Sequence, residues 1–463
     1  MSHQPRSREE KQQLSMIEGS IWRSMIAFAV PIFLGNLFQQ FYNAADALIV
    51  GNFIGKEALA AVSSSSNLIF MFTGFLNGVA MGAGVLIARF YGAKSYDRLR
   101  TAVHTALTFG FIAGVILSVI GVVLSPQILR WMGTPENVLP SSIDYFRTYF
   151  YGSTAVFIYN IATGVLQAVG DSRRPLYYLV TASAVNVALD LLFVAVFHWG
   201  VGSAAAATVI SQVVSMVLVL CRLLRPGQVY QVQVRRLGIE KDTLKQIIRF
   251  GLPSGIQNSV ISLANVIVQS NINAFGDNAM AGCGSYSRIE GFAFLPVTCF
   301  SMALATFVSQ NLGARQVDRV KEGARFGILC STILAEVIGL VIWLGAPQLI
   351  GLFNSDPEVL AYGVRQARTI AFFYCFLAFD HCSAGILRGA GRATVPMLIM
   401  LVCWCLIRVA YISAMAPIVG DILVVFTAYP ITWILAAVCF VIYLLKVDWL
   451  QSADRQLAGL GME

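Results

Sequence analysis

The chain has 463 residues, of which 57% are hydrophobic and only 12% are charged. Its formal net charge is +8 and its mean hydropathy is +0.71. A soluble chain carries about 25% charged residues, so this composition excludes a water-surrounded globule and indicates a polytopic membrane protein. The positive residues sit in short loops between apolar runs, so no nucleic-acid partner is expected.

Residues 1–18 form a polar, charged tail. It lacks the apolar core and small-residue cleavage site of a secretory signal. Apolar runs then fall at about 21–50, 58–90, 101–124, 141–168, 176–197, 201–222, 244–275, 280–311, 323–345, 360–387, 395–416 and 421–446. At about 1.5 Å of rise per residue each run suffices to cross about 30 Å of hydrocarbon as a helix. The fold class expected is therefore an all-α polytopic membrane protein with twelve transmembrane helices. The longest gap, residues 223–244, is a basic linker, and residues 447–463 form a second tail. Lysine and arginine gather on one side of the membrane: Arg6, Arg8 and Lys11, then Arg98 and Arg100, then the linker with Arg235 and Arg236, then Arg315 and Arg319. The opposite loops offer little beyond Lys56 and Arg130. That asymmetry places both termini in the cytoplasm and the protein in the cytoplasmic membrane.

The chain also repeats itself. Gly92-Ala-Lys-Ser-Tyr-Asp-Arg98 is echoed by Gly313-Ala-Arg-Gln-Val-Asp-Arg319, an offset of 221. Pro126-Gln127 and Pro347-Gln348 keep the same offset, as do Gly164 to Pro175 and Gly385 to Pro396. Phe28-Ala-Val-Pro31 returns as Phe250-Gly-Leu-Pro253. Six spans separate the copies, so both enter the membrane in one direction. Two pseudo-symmetric six-helix bundles are expected, an amino-terminal lobe at 19–222 and a carboxy-terminal lobe at 245–446, related by an axis along the membrane normal.

Polar groups inside the spans are costly and point to function. Asn186 and Asp190 lie four apart, on one face of the fifth span. The alternative for Asp190 is a purely structural carboxylate bonded to Asn186. The first span carries Asn36, Gln40, Asn43 and Asp46 on one stripe, and the seventh carries Asn258, Asn265 and Gln269. Polar stripes avoid lipid, so these six amides are read as lining a solvated substrate cleft, with amide glue between helices as the alternative. Glu290, Glu336, Asp380 and Arg408 are further charges within spans, and Arg408 is a candidate to neutralise Asp380 or Glu336. The nine cysteines are scattered without metal-type spacing and read as apolar fillers. There is no phosphate-cradling Gly-x4-Gly-Lys loop and no cluster of nucleophile and base. The chain is therefore not expected to be an enzyme or to need a cofactor, and an ion gradient must supply the energy.

Several local signatures resemble the multidrug and toxic compound extrusion (MATE) family: Ala45-Asp46-Ala-Leu-Ile-Val-Gly51, Gln310-Asn311-Leu-Gly-Ala314 and Leu387-Arg388-Gly389-Ala-Gly391. The first-span acid and the fifth-span Asn-x-x-x-Asp resemble its DinF-like branch. That resemblance implies a coupling-ion site in the amino-terminal lobe, at Asp46, Tyr145, Asn186, Asp190 and Thr208, where Na⁺ would be held by Asp46, Asn186 and Asp190. Asp380 resembles the tenth-span acid of the NorM-like branch. The seventh-span glutamate of that branch is absent here, which leaves Glu290 as the candidate substitute in a second-lobe site with Asp380. The function implied is a monomeric antiporter exporting organic, often cationic, small molecules in exchange for H⁺ or Na⁺. The alternative is a lipid-linked oligosaccharide flippase of the same superfamily, kept open by Arg288 and Arg408.

Overall fold

The computed structural model describes residues 16–54, 56–131, 134–136 and 138–450. Arg6, Arg8, Lys11 and most of both expected tails lie outside the described residues. Among those described there is no strand, as expected where hydrocarbon leaves the backbone no partner but itself. The spans are α1 (Ile21–Phe53), α2 (Lys56–Gly92), α3 (Tyr96–Trp131), α4 with α5 (Leu139–Tyr151, Ser153–Ala168), α6 (Arg173–Asp190) and α7 (Val201–Leu223). They continue with α8 (Lys241–Asn273), α9 (Asp277–Gly313), α10 (Val317–Gly351), α11 with α12 (Pro357–Ile370, Tyr374–Gly389), α13 with α14 (Thr394–Met400, Arg408–Val419) and α15 (Leu423–Lys446). That is the expected twelve. Ten of them are long and apolar enough to cross a membrane on composition alone. The other two are α8, whose amides dilute its hydropathy, and α4–α5, which breaks at Gly152.

The duplication is written into the backbone. At the end of α2, Ser95 N–H donates to Phe90 O at 3.0 Å and Lys94 N–H to Tyr91 O at 3.1 Å. At the end of α9, the bonds Gln316 to Asn311 and Arg315 to Leu312 repeat these at 2.8 and 3.0 Å. This double bond is a helix stop that needs one residue in the left-handed region. Lys94 and Arg315 supply it at φ 55° and 58°, an unusual choice for residues with side chains. The ends of α5 and α12 use the same stop with Gly170 and Gly391, at φ 90° and 79°. Both residue pairs are 221 apart. The fourth and tenth spans also break at matching places, at Gly152 and over the 3-10 turn Ala371–Phe373. The second break frees an N–H at the start of α12, and Glu336 of α10 takes it, accepting from Cys375 N at 3.2 Å. Glu336 thereby caps a helix, and Arg408 neutralises neither it nor Asp380: the hydrogen bonds of its guanidinium go to Thr432.

The chain forms two compact units, one over Val30–Gly255 and one joining Met16–Ala29 to the residues from Ile256 onward. The boundaries within α1 and α8 fall near a proline inside each helix, Pro31 and Pro253, where a backbone hydrogen bond is missing. In the first unit α5 packs against α2, α3 and α7, while α4 packs against α3 and α7. The first turns of α8 cross α2 at glycines: a Cβ on Gly78 or Gly82 would fall on the backbone of Gly255 or Gly251. Small residues let membrane helices approach this closely. In the second unit α9 and α12 pair, and α10 packs against both. The stretch before α1 is gathered by Arg319, which donates to the carbonyls of Gly19, Met16 and Glu18 at 2.9, 3.2 and 3.3 Å.

Gly170→Ala and Gly391→Ala should each destabilise by about 1–2 kcal/mol, the cost of a side chain in the left-handed region, and by the same amount in both repeats. Thermal unfolding of the purified protein checks this.

Candidate functional site

Four elements of the first unit converge on Asp190. It is the last residue of α6, and the chain continues from it into a π-helical segment, Leu191–Val196. Such local widenings of a helix occur often at functional sites. Asp190 is wholly buried, as is Asn186 one turn earlier. In the orientation that satisfies both its neighbours, the Asn186 amide donates to Asp190 Oδ2 at 3.2 Å and accepts from the Thr208 N–H at 3.3 Å. Thr208 comes from α7, which packs along α6, and its hydroxyl donates to Ala204 O at 3.2 Å. Asp46 arrives from α1 and stands within hydrogen-bonding reach of Asp190. Tyr145 of α4 is 6% exposed and lies in the electrostatic neighbourhood of both acids. Asp46 Oδ1 and Asp190 Oδ1 have no hydrogen-bond partner among the described residues. Two carboxyls facing each other, each with an oxygen to spare, are suited to holding a proton or a small hard cation.

The five residues singled out from the sequence are thus brought together. Two that the sequence reading missed are Tyr42 and Tyr149, whose hydroxyls share this neighbourhood. A signal for them existed: Tyr42 is one turn before Asp46, and Tyr149 one turn after Tyr145. The two acids proposed for the second unit are not joined by any hydrogen bond or ion pair among the described residues. Glu290 accepts from Tyr286 Oη at 3.5 Å, and that hydroxyl also meets Tyr374 Oη at 2.9 Å. Arg408 is the cation within electrostatic reach of Glu290. The Arg408 guanidinium lies 4.3 Å from the Tyr429 ring centroid and donates to Thr432 Oγ1 at 2.9 and 3.2 Å. Asp380 is wholly buried, with neither oxygen bonded among the described residues; the Trp404 indole approaches it without closing a hydrogen bond. Of the amide stripes, Asn43, Asn265 and Gln269 are exposed, while Asn36, Gln40 and Asn258 are half-buried. Gln269 donates along its own helix to Asn273 at 2.9 Å. Arg288 is exposed and lies 5.7 Å over the Phe353 ring.

A duplicated twelve-helix chain with a carboxylate pair inside one repeat has the architecture of a membrane transporter. Residues 31–192 and 253–412 each match the MatE family model, and the chain belongs to that family. It is 33% identical, over 82% of its length and 84% of the relative's, to a probable multidrug resistance protein, YoeA, of Bacillus subtilis. It is 22% identical, over 92% and 95% of the two chains, to an FAD transporter of Shewanella oneidensis. Its fold matches a MOP-superfamily transporter from Pyrococcus furiosus with a TM-score of 0.89 at 22% identity, covering 95% of this chain and 99% of that one.

Asn186→Leu should destabilise the protein by about 1–3 kcal/mol, because it strands Asp190 Oδ2 in a buried site. The shift in thermal unfolding of the purified protein measures it.

Proposed function

We propose that this protein is a secondary active antiporter, which exports organic, often cationic, small molecules across the cytoplasmic membrane in exchange for H⁺ or Na⁺. The observation that carries this reading is the meeting of Asp46 and Asp190, with Asn186, Tyr145 and Thr208 around them, inside a membrane-spanning unit. The family relatives named as multidrug resistance proteins support the substrate class. A flippase gripping a pyrophosphate needs paired cations, whereas Arg288 and Arg408 have separate surroundings, which favours the antiporter. Both termini would then lie on the cytoplasmic side, a reading supported by the lysine and arginine of the linker.

The coupling chemistry follows from the pair. Two carboxyls in a medium of low dielectric do not both ionise freely, so they share one proton or one cation. Asn186 can donate to the ionised form, and the tyrosine hydroxyls can do the same. Loading and emptying the pair changes the packing that α1, α4, α6 and α7 favour around it. A bound ion shifts that balance only by its differential affinity for the two arrangements. The two lobes would then expose the substrate path alternately to each side, with the amide stripes of α1 and α8 wetting it.

The deciding measurement is export by purified protein in vesicles, with H⁺ and Na⁺ gradients imposed separately. Asp190→Asn keeps shape but removes titration; it should still bind substrate and lose gradient-driven export by at least about tenfold, the equivalent of 1.4 kcal/mol. Asp46→Asn should behave alike, and the double variant should be little worse than either. Undiminished ion-driven export by Asp190→Asn would overturn the assignment. Cysteines placed at Asn43 and Asn265 should react with membrane-impermeant thiol reagents; if both stay inert in every condition, the stripes are helix glue.

A further inference from the structure

The segment between α7 and α8 plays no part in the transport reading, yet it is held firmly. Val232 N–H donates to Leu223 O at 2.8 Å. Gln233 N–H donates to His104 Nε2 at 3.0 Å, and Glu240 N–H to Thr105 Oγ1 at 3.2 Å. Arg100 Nε donates to Val229 O at 3.2 Å. These anchors fix residues 234–239 at the depth of His104 and Thr105 on α3. The lipid-facing stripe of that helix begins at Phe111, which is 55% exposed and is followed by Ile112, Val115 and Ile116. Six helical steps separate Thr105 from Phe111, about 9 Å along the axis. That distance is comparable to the headgroup layer of a leaflet.

Between its anchors the segment exposes apolar side chains outside any span: Val234 is 65% exposed, Leu237 43% and Ile239 41%. Interleaved with them are Arg235 and Arg236, both exposed. Neither guanidinium makes an ion pair or hydrogen bond among the described residues. Apolar groups left facing outward, at headgroup depth and next to a lipid-facing helix, have the bilayer as the nearest apolar medium. Arginines beside them select its anionic phosphates, and their stems can lie along the apolar boundary.

We propose that residues 234–239 form an interfacial anchor, in which Val234, Leu237 and Ile239 dip into the adjoining leaflet while Arg235 and Arg236 hold the phosphates of anionic phospholipids. The anchor ties the connection between the repeats to the membrane surface, whatever the cargo.

The test uses the full chain, with Cys221→Ser to remove the exposed native cysteine and a polarity-sensitive fluorophore on Leu237→Cys. Signal from the same background without Leu237→Cys is subtracted. The protein is reconstituted into phosphatidylcholine vesicles with or without about 30% phosphatidylglycerol, an anionic fraction large enough to set up a negative surface potential. Quenching of the fluorophore by lipid-borne spin labels should rise at least threefold when the anionic lipid is present. Raising the salt from about 0.05 to 0.5 M, which shortens the screening length well below the headgroup layer, should remove most of that rise without any charge variant. Arg235→Gln with Arg236→Gln should remove it too. Equal quenching in the two lipid mixtures, no quenching in either, or a rise that survives both salt and the double variant would overturn the proposal. Absence of quenching in both mixtures would also indicate that the segment faces water or another protein.

Discussion

The structure depends on one constraint: in hydrocarbon, a backbone amide has no partner but another part of the same chain. Twelve spans are helical because no other open element meets that demand. Every break in a span has to be made good locally. Glu336 takes the N–H freed at Cys375 where the tenth span is interrupted, and Gly152 N–H closes a turn onto Tyr149 O at 3.0 Å where the fourth is. The helix stops at Lys94, Gly170, Arg315 and Gly391 all close the same pair of bonds. The breaks and the stops recur at matching places in both halves, as expected if one ancestral bundle was copied, although the tenth-span break has the Glu336 cap where the first half has Val115.

The two halves nevertheless diverged in their polar interiors. The first unit carries two acids that face each other, with an amide and hydroxyls around them and no ion pair to a basic side chain among the described residues. The second has Tyr411 and Ile407 at the positions that correspond to Asp190 and Asn186, and instead holds a permanent cation, Arg408, between the rings of Tyr429 and Trp404. Both departures sit at a π-helical segment: Asp190 directly precedes one and Arg408 directly follows the other. A cation fixed in a dry interior demands an anion, and Glu290 lies within its reach. Such a pair neutralises itself, whereas Asp46 and Asp190 form no ion pair with a basic side chain among the described residues.

Outside the spans the chemistry changes character. The linker is read from sequence only as a basic stretch, whose charge is the basis for the orientation expected of the chain. The fold adds that the stretch is pinned to α3 through His104 and Thr105. Pinning turns a run of arginines into a surface of defined depth, with its own apolar side chains.

Composition, run length and the 221-residue offset by themselves determined twelve helices, their duplication and the place of Asp190 within a span, because these follow from how hydrocarbon treats backbone and charge. The five residues that meet around Asp190 were also named from the sequence: Asn186 and Asp190 share a helix face, a family-like motif marked Asp46, and Tyr145 and Thr208 followed from their places in their spans. Tyr42 and Tyr149 were not singled out, although their one-turn spacing from Asp46 and Tyr145 was visible. Only the tertiary structure decided which polar groups meet. Arg408 could be matched on paper to Asp380 or Glu336, but packing gives it Thr432, Tyr429 and the reach of Glu290. Spacing along a helix tells which residues share a face; which face meets which is settled by close contacts such as Gly78 and Gly82 against α8, and those depend on both helices at once.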